Sequence, residues 1–201
     1  MDYIFLMRKK IISSLLMMII ISCSLFAASY YDNGSQRFTI SAGISEPLSI
    51  TRFADDETRT FSDTKLSLGG YGSICYQINV HPQIALGCEI GYMFNFVVDG
   101  KLVTNVPMIF KATWLPVQGT VDIPISLGVG FSYLSLSDGG SYLPFYLSAE
   151  IGLQYYFTEN WGLGINSGIW VIPEIYYSAS ASSKNALATF IPATLAVTYR
   201  Q

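Results

Sequence analysis

Charge is what this sequence has least of. Asp, Glu, Lys and Arg make up 12% of its 201 residues, about half of the roughly 25% usual in soluble domains. A water-facing surface is normally built from such side chains, so something else must cover much of this one. Histidine occurs once, as His81 beside Pro82 in a short polar stretch, and reads as a turn residue. No Gly-x-Ser-x-Gly, phosphate loop or metal-spaced Cys/His cluster is present, so no catalytic residue, metal ligand or cofactor is indicated. Basic excess is missing too. The net charge is −3, so nothing suggests a basic nucleic-acid face. Long apolar runs are confined to the N-terminus, and no later segment has the 18 uninterrupted apolar residues of a membrane-spanning helix.

The N-terminus reads as an export leader. Arg8, Lys9 and Lys10 precede a largely apolar stretch from Ile11 to Phe26, and Ala27, Ala28 and Ser29 offer small residues for cleavage. This divides the chain into a signal peptide over 1–28 and one domain over 29–201. Ile20-Ile21-Ser22-Cys23 also reads as a loose lipobox, so lipidation at Cys23 is the alternative, as is a retained anchor. Cleavage near Ala28 is favoured because apolar residues continue past Cys23. Loss of the leader removes Arg8, Lys9, Lys10 and Asp2 and moves the net charge to −5. Of the cysteines only Cys75 and Cys88 then remain. They fall on opposite faces of neighbouring strands, which argues against a disulfide.

What the chain has in quantity is alternation. Apolar residues recur with period two, which puts them on one face of a strand. Eight such runs are visible: 37–44, 65–78, 84–96, 104–115, 121–133, 142–156, 161–172 and 187–200. The fifth is the clearest, with Val121, Ile123, Ile125, Leu127, Val129, Phe131 and Tyr133 alternating with Asp122, Pro124, Ser126, Gly128, Gly130 and Ser132. Short connections (79–83, 116–120, 157–160) alternate with longer ones (45–64, 97–103, 134–141, 173–186), the rhythm of an up-and-down barrel with short turns at one end.

Alternation suits both a soluble barrel, apolar inside, and a membrane barrel, apolar outside. Three features favour the second. The polar face is mostly Gly, Ser, Thr, Asn and Gln, which suits a narrow lumen better than a solvated exterior. The apolar face ends in two aromatic bands: Tyr76, Trp114, Tyr155, Trp161 and Tyr199 towards the short turns, and Phe94, Phe96, Phe131, Tyr133 and Phe145 towards the long loops. Most runs also exceed the soluble average of about 5–6 residues and approach the roughly 9–11 needed to cross lipid. The fold class is therefore all-β, an eight-stranded antiparallel up-and-down transmembrane β-barrel.

The leader, the strand–turn rhythm, the turn Tyr155-Tyr156-Phe157-Thr158-Glu159-Asn160-Trp161-Gly162-Leu163 and the last strand resemble the small bacterial outer-membrane barrel superfamily of OmpX, OmpW and opacity-type proteins. The resemblance implies an outer-membrane location, lipid contact, and insertion by the barrel-assembly machinery. The chain ends Val197-Thr198-Tyr199-Arg200-Gln201, with its aromatic two places short of the family's usual terminal one.

The candidate sites follow from phase. Glu89, Lys111, Asp122, Glu150 and Arg200 face inward and form a lumen polar network, with Lys111 beside both Glu89 and Asp122. Inward Trp170, Ile172 and Phe190 form a candidate extracellular vestibule. The charged stretch with Arg52, Asp55, Asp56, Glu57, Arg59 and Asp63 is a surface loop that lacks the spacing of a calcium loop. Pro107, Pro124, Pro144 and Pro192 all fall inside strands on the inward face, where bulges or broken ladders are expected. The sequence thus points to a monomeric, non-enzymatic surface protein binding host or envelope ligands through its loops. The alternative, implied by the OmpW resemblance, is a narrow conduit for small hydrophobic molecules, opening near Pro144 or Pro192.

Overall fold

The computed structural model describes residues 30–54, 57–97, 100–136, 141–175 and 185–201. Eight long strands form one antiparallel sheet: β1 (Gln36–Arg52), β3 (Gly69–His81), β4 (Ile84–Phe96), β5 (Leu102–Val117), β6 (Val121–Leu136), β8 (Phe145–Tyr156), β9 (Trp161–Glu174) and β10 (Ala186–Arg200). Two short strands, β2 (Glu57–Thr60) and β7 (Ser141–Tyr142), append to β1 and β6. Each long strand pairs with its sequence neighbour, and β10 returns to pair with β1, closing the ring. Closure leaves no open edge in the spanning region, which lipid would penalise heavily because it offers no hydrogen bonds. The end residues finish the seam: the Gln36 and Gln201 amides each donate to the other's carbonyl (2.8 and 2.9 Å).

The alternation decides which way each residue points. Leu195, Leu127 and Ile165 on the outer face are 69%, 64% and 57% exposed. In water such a belt would be an aggregation surface, and in a bilayer it is the contact with acyl chains. The lower aromatics ring this belt at the short-turn end, with Trp161 and Tyr199 packed at 5.0 Å between centroids. Phe131 and Phe145 pack at 5.1 Å in the upper band. Cys75 points inward and Cys88 outward, and both are free thiols.

Several strand ends differ from the sequence reading, and three of the differences have a local cause. The first strand does not stop at Ile44: β1 continues to Arg52 and pairs with β10 as far as Arg52↔Ala186. The charged residues that follow gave this stretch the look of a loop, but Pro47 lies fully buried on the inner face, and a bulge between Pro47 and Ser49 interrupts the ladder there. The second strand begins at Gly69 rather than Lys65, because Phe61–Thr64 forms a 3-10 turn and Lys65 takes a φ of 60°. The sixth begins at Phe145 rather than Tyr142, since Pro144 interrupts it.

The four prolines do sit inward at broken ladder positions. The β4–β5 pairing skips from Ile90↔Met108 to Met93↔Asn105 around Pro107. The β6–β8 pairing skips from Asp122↔Gln154 to Ile125↔Ile151 around Pro124. The β9–β10 pairing skips from Phe190↔Trp170 to Ala193↔Ser167 around Pro192. Continuing each register across its gap sets Pro107 opposite Gly91, Pro124 opposite Gly152 and Pro192 opposite Gly168. A Cβ on Gly152 would come within 3.0 Å of the Pro124 ring.

A charge placed in the belt should be costly. Ile165→Arg is expected to lower folding stability by about 2–4 kcal/mol, the cost of a lipid-facing arginine near the bilayer midplane, in a urea titration of the vesicle-inserted protein. Thr113→Ala, which places no charge in lipid, should cost clearly less.

Candidate functional site

The lumen is filled in layers. Nearest the long loops, Tyr71, Met93, Ile109, Tyr146, Trp170, Ile172 and Phe190 form a buried apolar cluster. Tyr71 and Trp170 stack at 4.4 Å between ring centroids. Trp170 and Ile172 are each 1% exposed. The sequence reading took Trp170, Ile172 and Phe190 as a candidate extracellular vestibule. They are instead a packed layer, because rings from β3, β8 and β9 meet across a lumen only eight strands wide.

Beneath this layer lies the first charge cluster. Lys111 Nζ bridges Glu89 Oε2 at 2.7 Å and Glu150 Oε2 at 2.6 Å. The other two carboxylate oxygens are also satisfied: Tyr71 donates its hydroxyl to Glu89 Oε1 (2.6 Å) and Trp170 its indole N–H to Glu150 Oε1 (2.7 Å). Every carboxylate oxygen therefore accepts a bond from a named donor, the condition under which buried charge is tolerable. Gly91 makes room for this, since a Cβ there would lie 2.7 Å from the Tyr71 hydroxyl. The expected contact of Lys111 with Asp122 is not made. Lys111 reaches past β6 to Glu150 on β8, and Asp122 belongs to a separate cluster nearer the short turns.

Between the clusters runs a hydroxyl-rich stretch. Gln77 donates to Thr113 (2.8 Å), Thr113 and Ser126 share a bond of 2.8 Å, and Arg37 donates to Gln77 (3.3 Å). A cavity of about 40 Å³ lies here, bordered by Arg37, Thr39, Cys75, Thr113, Ser126 and Thr194 among others.

The second cluster closes the short-turn end. Arg200 Nη1 stands 3.6 Å from Asp122. The same nitrogen donates to the Tyr31 hydroxyl (3.1 Å) and the Gly119 carbonyl (2.8 Å), while Nε donates to the Glu159 carbonyl (2.8 Å). The Tyr31 hydroxyl donates to the Asp122 carboxylate. Burial pushes the Tyr31 phenol pKa up, which keeps its proton on oxygen for that bond. Arg37 and Tyr31 were not singled out from sequence. Arg37 shares the inward phase of Thr39 and was legible on that ground, whereas Tyr31 precedes the first strand and carries no periodic signal.

The remaining candidates lie on the outside. Tyr76, Trp114, Tyr155 and Trp161 are exposed and Tyr199 is half-buried, all on the outer face. Tyr76 also donates to Gln36 (2.9 Å). Arg52 and Glu57 are register partners across the β1–β2 hairpin, Arg59 lies in β2 and Asp63 in the 3-10 turn. Asp55 and Asp56 lie outside the described residues. The charged stretch is thus a structured hairpin and turn over much of its length, rather than a loop throughout.

A protein-family model that carries no functional description matches residues 22–199, and the chain belongs to that family. An uncharacterised protein of Borreliella burgdorferi is similar to it, 26% identical over 96% of this chain and 97% of its own length. Among solved structures, Neisserial surface protein A is similar in fold, with a TM-score of 0.57 and 11% identity over 81% of this chain and 96% of that one. The attachment invasion locus protein Ail of Yersinia pestis aligns with a TM-score of 0.45 and 11% identity over 85% of this chain and all of its own. The chain is an eight-stranded transmembrane β-barrel, a fold it shares with Neisserial surface protein A.

Removing Lys111 should expose the cost of the upper cluster. Lys111→Met leaves two facing carboxylates without a cation and is expected to cost about 3–5 kcal/mol. Adding Glu89→Gln and Glu150→Gln in the same chain should recover much of that loss in equilibrium urea unfolding.

Proposed function

We propose that this protein is a closed outer-membrane barrel that acts at the cell surface through the projection built on β1, β2, β9 and β10. One observation carries the reading: a buried aromatic layer and two charge clusters stand across the lumen, and β1 rises beyond its neighbour β3. The β1–β3 pairing stops at Ser45↔Gly69, yet β1 stays paired with β10 to Arg52↔Ala186, and β2 takes the place of β3 at its edge. Arg52, Arg59, Asp63 and Lys65 lie on or beside this projection.

On this reading the leader is removed near Ala28 and the apolar belt is coated by outer-membrane lipid. The barrel-assembly machinery inserts the barrel. The protein is a monomer, takes part in no enzymatic step, and binds host or envelope molecules at the projection. A conduit for small hydrophobic molecules is less well supported, because the Trp170 layer and both charge clusters stand in its path.

The purified protein in planar bilayers is expected to give no steady conductance above the lipid baseline. Cells carrying it should lose surface attachment when residues 53–68 are replaced by a Gly/Ser linker, with heat-modifiable gel mobility retained. Steady channels, or attachment that survives the replacement, would overturn the reading.

A further inference from the structure

The second charge cluster has one member outside the sheet. Residues 30 and 31 precede β1 and belong to no ladder, yet Tyr31 is 2% exposed. The segment enters the short-turn mouth and is turned back into β1 by 32–35, where Gly34 takes a φ of 93°, a conformation that favours glycine. Inside, it touches the turn at Gln118 and residues of β1, β6, β8 and β10. The Tyr30 and Tyr31 amides donate to Gln118 Oε1 (3.0 and 3.4 Å), and Gln118 in turn donates to the Pro82 and Leu115 carbonyls. The Arg200 guanidinium lies 3.9 Å from the Tyr30 ring centroid and 3.4 Å from that of Tyr156. Arg37 lies 5.7 Å from the Tyr31 ring.

We infer that Tyr30 and Tyr31 form a non-covalent plug that shuts the hydroxyl-lined chamber off from the short-turn side, and that the chamber opens to that side when the plug withdraws. The chemistry suits a removable part. The segment is held by side-chain hydrogen bonds and cation–π contacts, without ladder pairing, so it can leave while the ring stays closed. Its departure would uncover Arg37, Arg200 and Asp122, and beyond them Cys75, a buried free thiol on the chamber wall. Cys75 is therefore a built-in reporter of the plug.

The test uses the full-length protein, extracted in detergent and carrying Cys88→Ser, with methyl methanethiosulfonate as the probe and adducts mapped to Cys75 by mass spectrometry. Cys75 should label slowly in this background, and Tyr31→Ala should raise the rate about 10-fold or more by populating the open mouth. Gln118→Ala, which loosens the anchor without emptying the lumen, should move the rate in the same direction. Tyr155→Ala removes a tyrosine from the lipid face at the same end and should leave it unchanged. Heat-modifiable mobility identifies the folded protein in each case. The inference is overturned if Tyr31→Ala and Gln118→Ala both leave labelling slow, or if Tyr155→Ala raises it as much. It fails separately from the surface role, because the Lys111 cluster still blocks the lumen when the plug is gone and no conductance is expected from Tyr31→Ala.

Discussion

Everything in this structure depends on one constraint: a backbone amide or carbonyl in lipid has no water to bond to. The ring closes through β1 and β10 for that reason. The prolines test the constraint hardest, since each deletes a donor within a spanning strand. The chain answers by facing each proline inward, where polar groups and lumen side chains are near, rather than towards acyl chains. At the β9–β10 break the Ser167 hydroxyl donates to the Pro192 carbonyl at 2.8 Å, replacing a ladder bond that the gap removes. At the β6–β8 break the glycine opposite, Gly152, leaves space for the Pro124 ring, which a Cβ there would approach to 3.0 Å.

The same constraint reverses the usual order of burial. Apolar side chains can face outward at no cost, so beneath the Trp170 layer the interior is largely polar, and its charges are paired within the lumen. The two clusters do this by compensation. Lys111 with Glu89 and Glu150 carries a formal net charge of −1. Arg37 and Arg200 with Asp122 carry +1. Separated by hydroxyls and an amide, the two layers balance along the barrel axis.

Much of the fold was legible in the sequence, because period two is a direct readout of which face meets lipid. All eight strands, the two aromatic bands and the inward phase of Glu89, Lys111, Asp122, Glu150 and Arg200 follow from it. What period two does not contain is height. It could not say that Lys111 spans to Glu150 rather than turning to Asp122, because that depends on strand stagger and on side-chain reach across the lumen. Nor could it read Pro47 as strand, since local chemistry there says loop and only the pairing with β10 overrides it. Tyr31 was invisible for a third reason: it acts from outside the periodic pattern.

The buried charges also explain how register is held. A one-residue slip in any strand exchanges its two faces. For most of β5 such a slip would trade Phe110 or Met108 for Ile109, a small change in what lipid sees. For Lys111 the slip would put an ammonium into the belt, at about 2–4 kcal/mol near the midplane, and strand Glu89 and Glu150 without their cation. Asp122 in β6 and Arg200 in β10 act in the same direction more weakly, because at the short-turn end the cost of a lipid-facing charge falls to about 0–1 kcal/mol. Charges on β4, β5, β6, β8 and β10 therefore penalise misregistered pairings that an apolar pattern alone would tolerate. A lumen of this width gains register from filling itself with ion pairs, and the same pairs stand across the barrel axis.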